Sequence, residues 1–181
     1  MQEIGIVRRI DELGRVVIPK EIRKTLRIRE GDPLEIYTNK EELVFRKYSP
    51  ISSLGDSLKT VADALEEMVG KTCYITDTDT VLYASGNKPK SCVGKKLSED
   101  ARRTIAERKS VIACRRRGTN PIKLCTCEEF VVENQVFVPI ISAGDCYGAV
   151  VLCDKDKNAC FSEQEEKLVQ MSAIFLAKHF E

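Results

Sequence analysis

Lys20, Arg23, Lys24 and Arg27 occupy positions i, i+3, i+4 and i+7, so on a helix they line one stripe, with Ile22 and Leu26 pointing the other way. Arg8, Arg9 and Arg15 stand just before them. Guanidinium and ammonium groups gathered in this way suit phosphate, because the planar Arg fork donates to phosphate oxygens and to guanine edges alike. A solvated charged face is the alternative for the same pattern. A second group carries thiols: Cys114 precedes Arg115-Arg116-Arg117, and Cys125-Thr126-Cys127 follows. Adjacent arginines favour a thiolate, which makes Cys114 a redox-sensing candidate. Alternatively Cys92, Cys114, Cys125 and Cys127 offer four thiolates to a metal, although C-x-C falls short of the usual ligand spacing. The plainest reading treats the cysteines as small buried hydrophobes.

The charge balance decides where an anionic partner can dock. The 181 residues hold 29 Lys+Arg against 28 Asp+Glu, a net charge of +1, so contact with nucleic acid must come from a local patch. Residues 1–30 supply that patch, with eight bases against five acids, whereas residues 51–181 are nearly balanced. The longest uncharged run, Asn134 to Gly144, falls well short of the roughly 20 residues that span a bilayer. With no basic start and apolar h-region at the N-terminus, the expected location is the cytoplasm, with no membrane partner. Cytosolic thiols are kept reduced, so the eight cysteines do not imply a disulfide scaffold.

All eight cysteines lie beyond Tyr48, and the stretch from Ser49 to Gly55 is uncharged, which places a boundary there. The expected domains are 1–50 and 56–181, joined by a short linker at 51–55. In the first, Glu3–Ile10 and Arg15–Ile18 read as strands around a turn at Asp11–Gly14. Pro19 suits the opening of a helix over Pro19–Leu26, and Leu34–Thr38 and Glu42–Tyr48 read as two further strands. So small a cysteine-free unit is marginal alone, which predicts an obligate dimer.

The second domain opens on a helix over Ser53–Val69. Along it, Ile51, Leu54, Leu58, Val61, Leu65 and Met68 alternate spacings of three and four, an a/d seam that serves assembly between chains as well as packing within one. Strands are expected at Cys73–Asp77 and Val81–Ser85, then a helix at Ser98–Arg108 capped by Ser98. Further strands follow from Ser110, at Phe130–Val132, at Val136–Ile141 and at Cys146–Asp154. Ser162-Glu163-Gln164-Glu165 begins a capping-box helix running to His179. The class is α+β.

The segment Gly5-Ile6-Val7-Arg8-Arg9-Ile10-Asp11-Glu12-Leu13-Gly14-Arg15-Val16-Val17-Ile18-Pro19-Lys20-Glu21-Ile22-Arg23-Lys24-Thr25-Leu26 closely resembles the AbrB-like DNA-binding motif. The likeness continues through Ile28, Gly31-Asp32 and Leu34–Tyr37. It implies a swapped-hairpin β-barrel dimer that presents arginines to double-stranded DNA. The family's DNA-contacting positions fall on Arg8, Arg15, Arg23 and Lys24; Arg9 and Lys20 join them from the local pattern.

An AbrB-like domain followed by residues 51–181 resembles the sporulation branch of that family, regulators of late forespore genes in endospore-forming bacteria. That resemblance implies a C-terminal GAF-type domain and a tetramer of two dimers. GAF domains elsewhere bind small molecules over the sheet, but this sequence names no ligand and implies no cofactor. The expected function is a transcription regulator and not an enzyme. The alternative is a cysteine-based redox sensor or GAF-type thiol reductase. A toxin-binding antitoxin shares the N-terminal fold but carries a disordered tail, and residues 56–181 are too apolar and periodic for that. His179, in the last helical turn, favours the helix terminus and not catalysis.

Overall fold

The computed structural model describes residues 5–86, 92–126 and 132–181, which form two compact units, Met1–Tyr48 and Ser49–Glu181. In the first, a seven-residue helix α1 (Lys20–Leu26) precedes a hairpin of β1 (Leu34–Asn39) and β2 (Glu42–Lys47). The hairpin pairs Leu34 with Lys47 and Asn39 with Glu42, and Lys40 takes the left-handed turn position at φ 55°.

The two N-terminal strands expected over Glu3–Ile10 and Arg15–Ile18 do not form within the single chain. Their described residues run without a ladder partner on either side of the turn. A β-strand needs a neighbour to take its N–H and C=O groups, and one chain supplies none here. The turn itself is as expected. Gly14 at φ 76° donates to Asp11 C=O at 3.0 Å, and the Asp11 N–H closes onto Arg15 C=O at 3.1 Å.

The second unit is one antiparallel sheet of five strands in the order β4-β3-β7-β6-β5. These are β3 (Thr72–Thr76), β4 (Val81–Ser85), β5 (Val111–Cys114), β6 (Asn134–Ser142) and β7 (Asp145–Asp154). Helix α2 (Gly55–Val69) and helix α4 (Glu163–Ala177) belong to one face of the core, and α3 (Glu99–Ala106) to the other. Successive side chains of a strand point to opposite faces, so Val150 and Leu152 join the α2/α4 side while Ala149, Val151 and Cys153 join the α3 side. Burial on both faces is why the central strands read as continuous apolar runs. Pro139 is tolerated in β6 because β5 pairs only as far as Phe137, leaving that side of β6 open beyond it. Gly148 is required: a Cβ there would lie 1.9 Å from the Thr76 carbonyl oxygen.

Caps set the helix starts. Ser98 Oγ accepts from Ala101 N–H at 3.0 Å, and Ser162 and Glu165 form the expected reciprocal capping box ahead of α4. The expected linker at 51–55 is instead structured. Pro50–Leu54 is a 3-10 helix, and Ile51 is fully buried in the second unit's core. The strand expected at Phe130–Val132 lies mostly outside the described residues. Among the described residues no helix is long and apolar enough to cross a membrane.

Candidate nucleic-acid interface

Six cationic side chains were singled out by the sequence, and all six are exposed: Arg8, Arg9, Arg15, Lys20, Arg23 and Lys24. Two local devices present four of them, Arg15, Lys20, Arg23 and Lys24. The first is the turn, where Asp11 Oδ1 accepts from the Leu13 and Arg15 N–H groups at 3.0 and 2.8 Å while Oδ2 takes Arg15 Nε at 2.7 Å. The Arg15 N–H, and then its guanidinium, hold the Asp11 carboxyl below its ordinary range. The carboxylate thereby fixes both the loop and the Arg15 side chain.

The second device is α1. Its first hydrogen bond runs from Arg23 N–H to the Pro19 carbonyl at 2.9 Å, in keeping with a proline at a helix start. Its end is set by Arg27, whose left-handed φ of 57° lets its N–H return to the Arg23 and Lys24 carbonyls. Three members of the expected stripe, Lys20, Arg23 and Lys24, face solvent, while Arg27 is half-buried. On the opposite side of α1, Ile22 is half-buried and Leu26 is 54% exposed.

That exposure extends across the unit. Val7 is 89% exposed, and Leu13 and Val17 are each 74% exposed. Isolated apolar residues on a surface are ordinary, but a unit that exposes most of its apolar side chains has not buried its core.

The α2 seam divides. Ile51, Leu58 and Leu65 are buried in their own domain, Leu54 and Val61 are partly buried, and Met68 is 68% exposed. Val61, Leu65 and Met68 line an apolar groove of about 190 Å³ with Leu168, Met171 and Phe175 of α4. Sequence reasoning missed the α4 half, although Leu168, Met171 and Phe175 stand at helical spacing and could have been found by treating α4 as α2 was treated.

The cysteines depart most from expectation. Cys114 is 4% exposed and bonded to Cys160, a residue the sequence reading never paired with it. Its sulfur is therefore not available to a four-thiolate site, and Cys127 lies outside the described residues. Cys92 and Cys125 are buried with their sulfurs 2.8 Å apart. Burial pushes the Cys73 thiol up to about 12 and raises Cys146 and Cys153 as well.

Residues 53–181 match the family described as stage V sporulation protein T C-terminal, transcription factor. Residues 7–52 match that described as antidote-toxin recognition MazE, bacterial antitoxin. Stage V sporulation protein T of Bacillus subtilis (strain 168) is 44% identical over 182 aligned residues, covering 100% of this chain and 99% of that protein. Transition state regulatory protein AbrB of the same organism is 58% identical over 50 residues, 28% of this chain and 52% of its own length.

Two solved structures share the second unit's fold. The GAF domain of an Acinetobacter phosphoenolpyruvate-protein phosphotransferase matches with a TM-score of 0.53 at 14% identity, over 68% of this chain and 89% of its own. A type II free methionine-R-sulfoxide reductase from Thermoplasma acidophilum matches with a TM-score of 0.56 at 15% identity, over 71% and 93%. The second unit has the GAF-like fold that the resemblance implied, and the first is AbrB-like in sequence. With its full length aligned at 44% identity, the chain belongs to the stage V sporulation protein T family.

Proposed function

We propose that this chain is a sequence-specific, non-catalytic DNA-binding regulator of transcription. It works in the cytoplasm on the nucleoid and acts on late forespore genes during sporulation. One observation carries the reading: the basic side chains stand exposed on a unit whose apolar residues lack a core of their own. A second copy that swaps its hairpin supplies strand partners for the segments around the Asp11–Gly14 turn and covers Val7, Val17 and Leu26. Pairing doubles the cationic set, so one dimer offers Arg8, Arg15, Arg23 and Lys24 twice to a duplex, with Arg9 and Lys20 beside them. Family membership and the relatives' names support a regulator of sporulation.

The second unit contributes assembly in this reading. The groove between α2 and α4 and the exposed Met68, Met171 and Phe175 support contact between dimers, giving a tetramer. The likeness to a sulfoxide reductase reaches the fold alone and brings no residue of that chemistry to this chain.

The test is selection from a pool of random duplexes by the full-length protein, followed by binding measurements on the sequences retained. The reading expects enrichment of a common motif and loss of binding when Arg8, Arg15, Arg23 and Lys24 are all changed to Ala in a folded protein. No enrichment, or unchanged binding by that variant, would overturn it.

A further inference from the structure

Two thiols distant in sequence meet at the edge of the GAF-like sheet. Cys114 ends the edge strand β5, and Cys160 stands two residues before Ser162, the cap of α4; their Cα atoms are 5.7 Å apart and their sulfurs bonded. The same two segments are joined without sulfur. Arg116 Nη1 donates to the Asn158 carbonyl at 2.8 Å. From β6, Asn134 Nδ2 donates to the Asp156 carbonyl at 2.6 Å. Two contacts besides the sulfur bond thus tie the chain just before Cys160 to the Cys114 end of the sheet. In a reducing compartment a disulfide at such a place is transient and responsive, not a permanent staple.

We propose that Cys114 and Cys160 form a reversible thiol-oxidation site, with hydroperoxides as the oxidant, whose closure fastens β5 to the start of α4. The two sulfurs have different parts because their access differs. Cys114 is 4% exposed, while Cys160 is only partly buried and is the one a small oxidant reaches. The Cys160 thiolate attacks one peroxide oxygen and the O–O bond breaks. Sulfur is oxidised to the sulfenic acid, and the other oxygen leaves as hydroxide and takes up a proton. The Cys114 sulfur then gives up its proton and displaces the sulfenic oxygen as water, forming the S–S bond. Two thiols and one hydrogen peroxide become one disulfide and two waters. A dithiol reductant returns the pair to thiols by exchange.

Four of the other sulfurs are set apart by their surroundings. Cys92 and Cys125 are 2% and 0% exposed and lie within the α3-side core. Cys73 and Cys153 are buried with raised pKa values, so they remain thiols at neutral pH and react slowly. The arginines that follow Cys114 were the sequence's pointer to this place; the partner and the order of attack come from the fold.

The experiment uses the full-length protein, reduced and then treated with one equivalent of hydrogen peroxide. The alkylatable thiols counted after denaturation should fall from eight to six, eight less the two joined, and peptide mapping should find Cys114 linked to Cys160. C114S should stop at a sulfenic acid on Cys160 that dimedone captures, and C160S should keep all seven of its thiols, eight less the one replaced. Amide hydrogen exchange over residues 155–170 should slow several-fold on oxidation of the wild type. Survival of all eight thiols, a link between any other pair, or dimedone labelling of Cys114 in C160S would overturn the site. Unchanged exchange would overturn the coupling to α4. If either serine variant fails to fold, the thiol count and link in the wild type still decide the matter.

Discussion

The two units solve the burial problem in opposite ways. In the second, both faces of a five-stranded sheet carry a closed apolar cluster, one including Ile75, Val150 and Leu152 and the other Leu97, Phe137 and Val151. In the first, Pro19 is the one buried residue among those described, and Val7, Leu13 and Val17 are open to solvent. The second is a complete domain. The first leaves most of its apolar side chains exposed beside its cationic turn and helix.

Phe137 sets the scale of the comparison. It is fully buried on the α3 side, so Phe137→Ala should cost about 3–5 kcal/mol by urea denaturation. Val17→Ala asks the same question of the first unit. A side chain 74% exposed in a self-sufficient unit would change stability by no more than about 0.5 kcal/mol. Covered by a partner chain, its loss should cost about 1.5 kcal/mol, with a midpoint that rises with protein concentration. A small effect without concentration dependence would erase the distinction between the units.

Much of this contrast was legible beforehand. The Ser98 cap, the Ser162–Glu165 capping box, the turn glycine and the apolar runs of β3 and β7 are local signals, and the helices and sheet strands formed within a few residues of expectation. Strands at the N-terminus were also legible as pattern, but pattern does not say which chain provides the neighbour, so they are unpaired in one copy. The α2 seam was legible as an apolar face, and its packing within the domain is as expected. Heptad spacing reports one apolar face and not what covers it, and the sheet of the same domain takes Leu58 and Leu65. The Cys114 partner was illegible because 46 positions separate the two residues and only the fold brings them together.

The divided seam sharpens the assembly claim. An aspartate at Leu58 would attack the domain's own core, so the variant that separates assembly from folding is Met68→Glu, at a side chain 68% exposed. Its GAF-like domain should fold unchanged while sedimentation shows dimers in place of tetramers. An unchanged mass would confine the α2/α4 groove to a role within one chain.

The smallest effect belongs to Asp11. Its folded pKa is lowered from the ordinary value of 3.8 by the Arg15 N–H and guanidinium, so its contribution to loop order is complete above that value and fades as pH falls through the lowered one. The Arg15 amide resonance should shift in that acid range in the wild type and stay still in Asp11→Asn. Identical titrations would remove Asp11 from the presentation of Arg15.

The central claim is that two copies of the first unit join their cationic residues into one DNA-binding surface. The salt dependence of duplex binding by the full-length protein measures it directly. If a dimer neutralises about 8 phosphates through Arg8, Arg15, Arg23 and Lys24 of each chain, log K should fall against log salt with a slope near −7. Arg23→Ala removes two of those contacts per dimer and should flatten the slope by about 2 if both are to phosphate. An affinity independent of salt, or a slope untouched by Arg23→Ala together with unaltered sequence preference, would contradict the account.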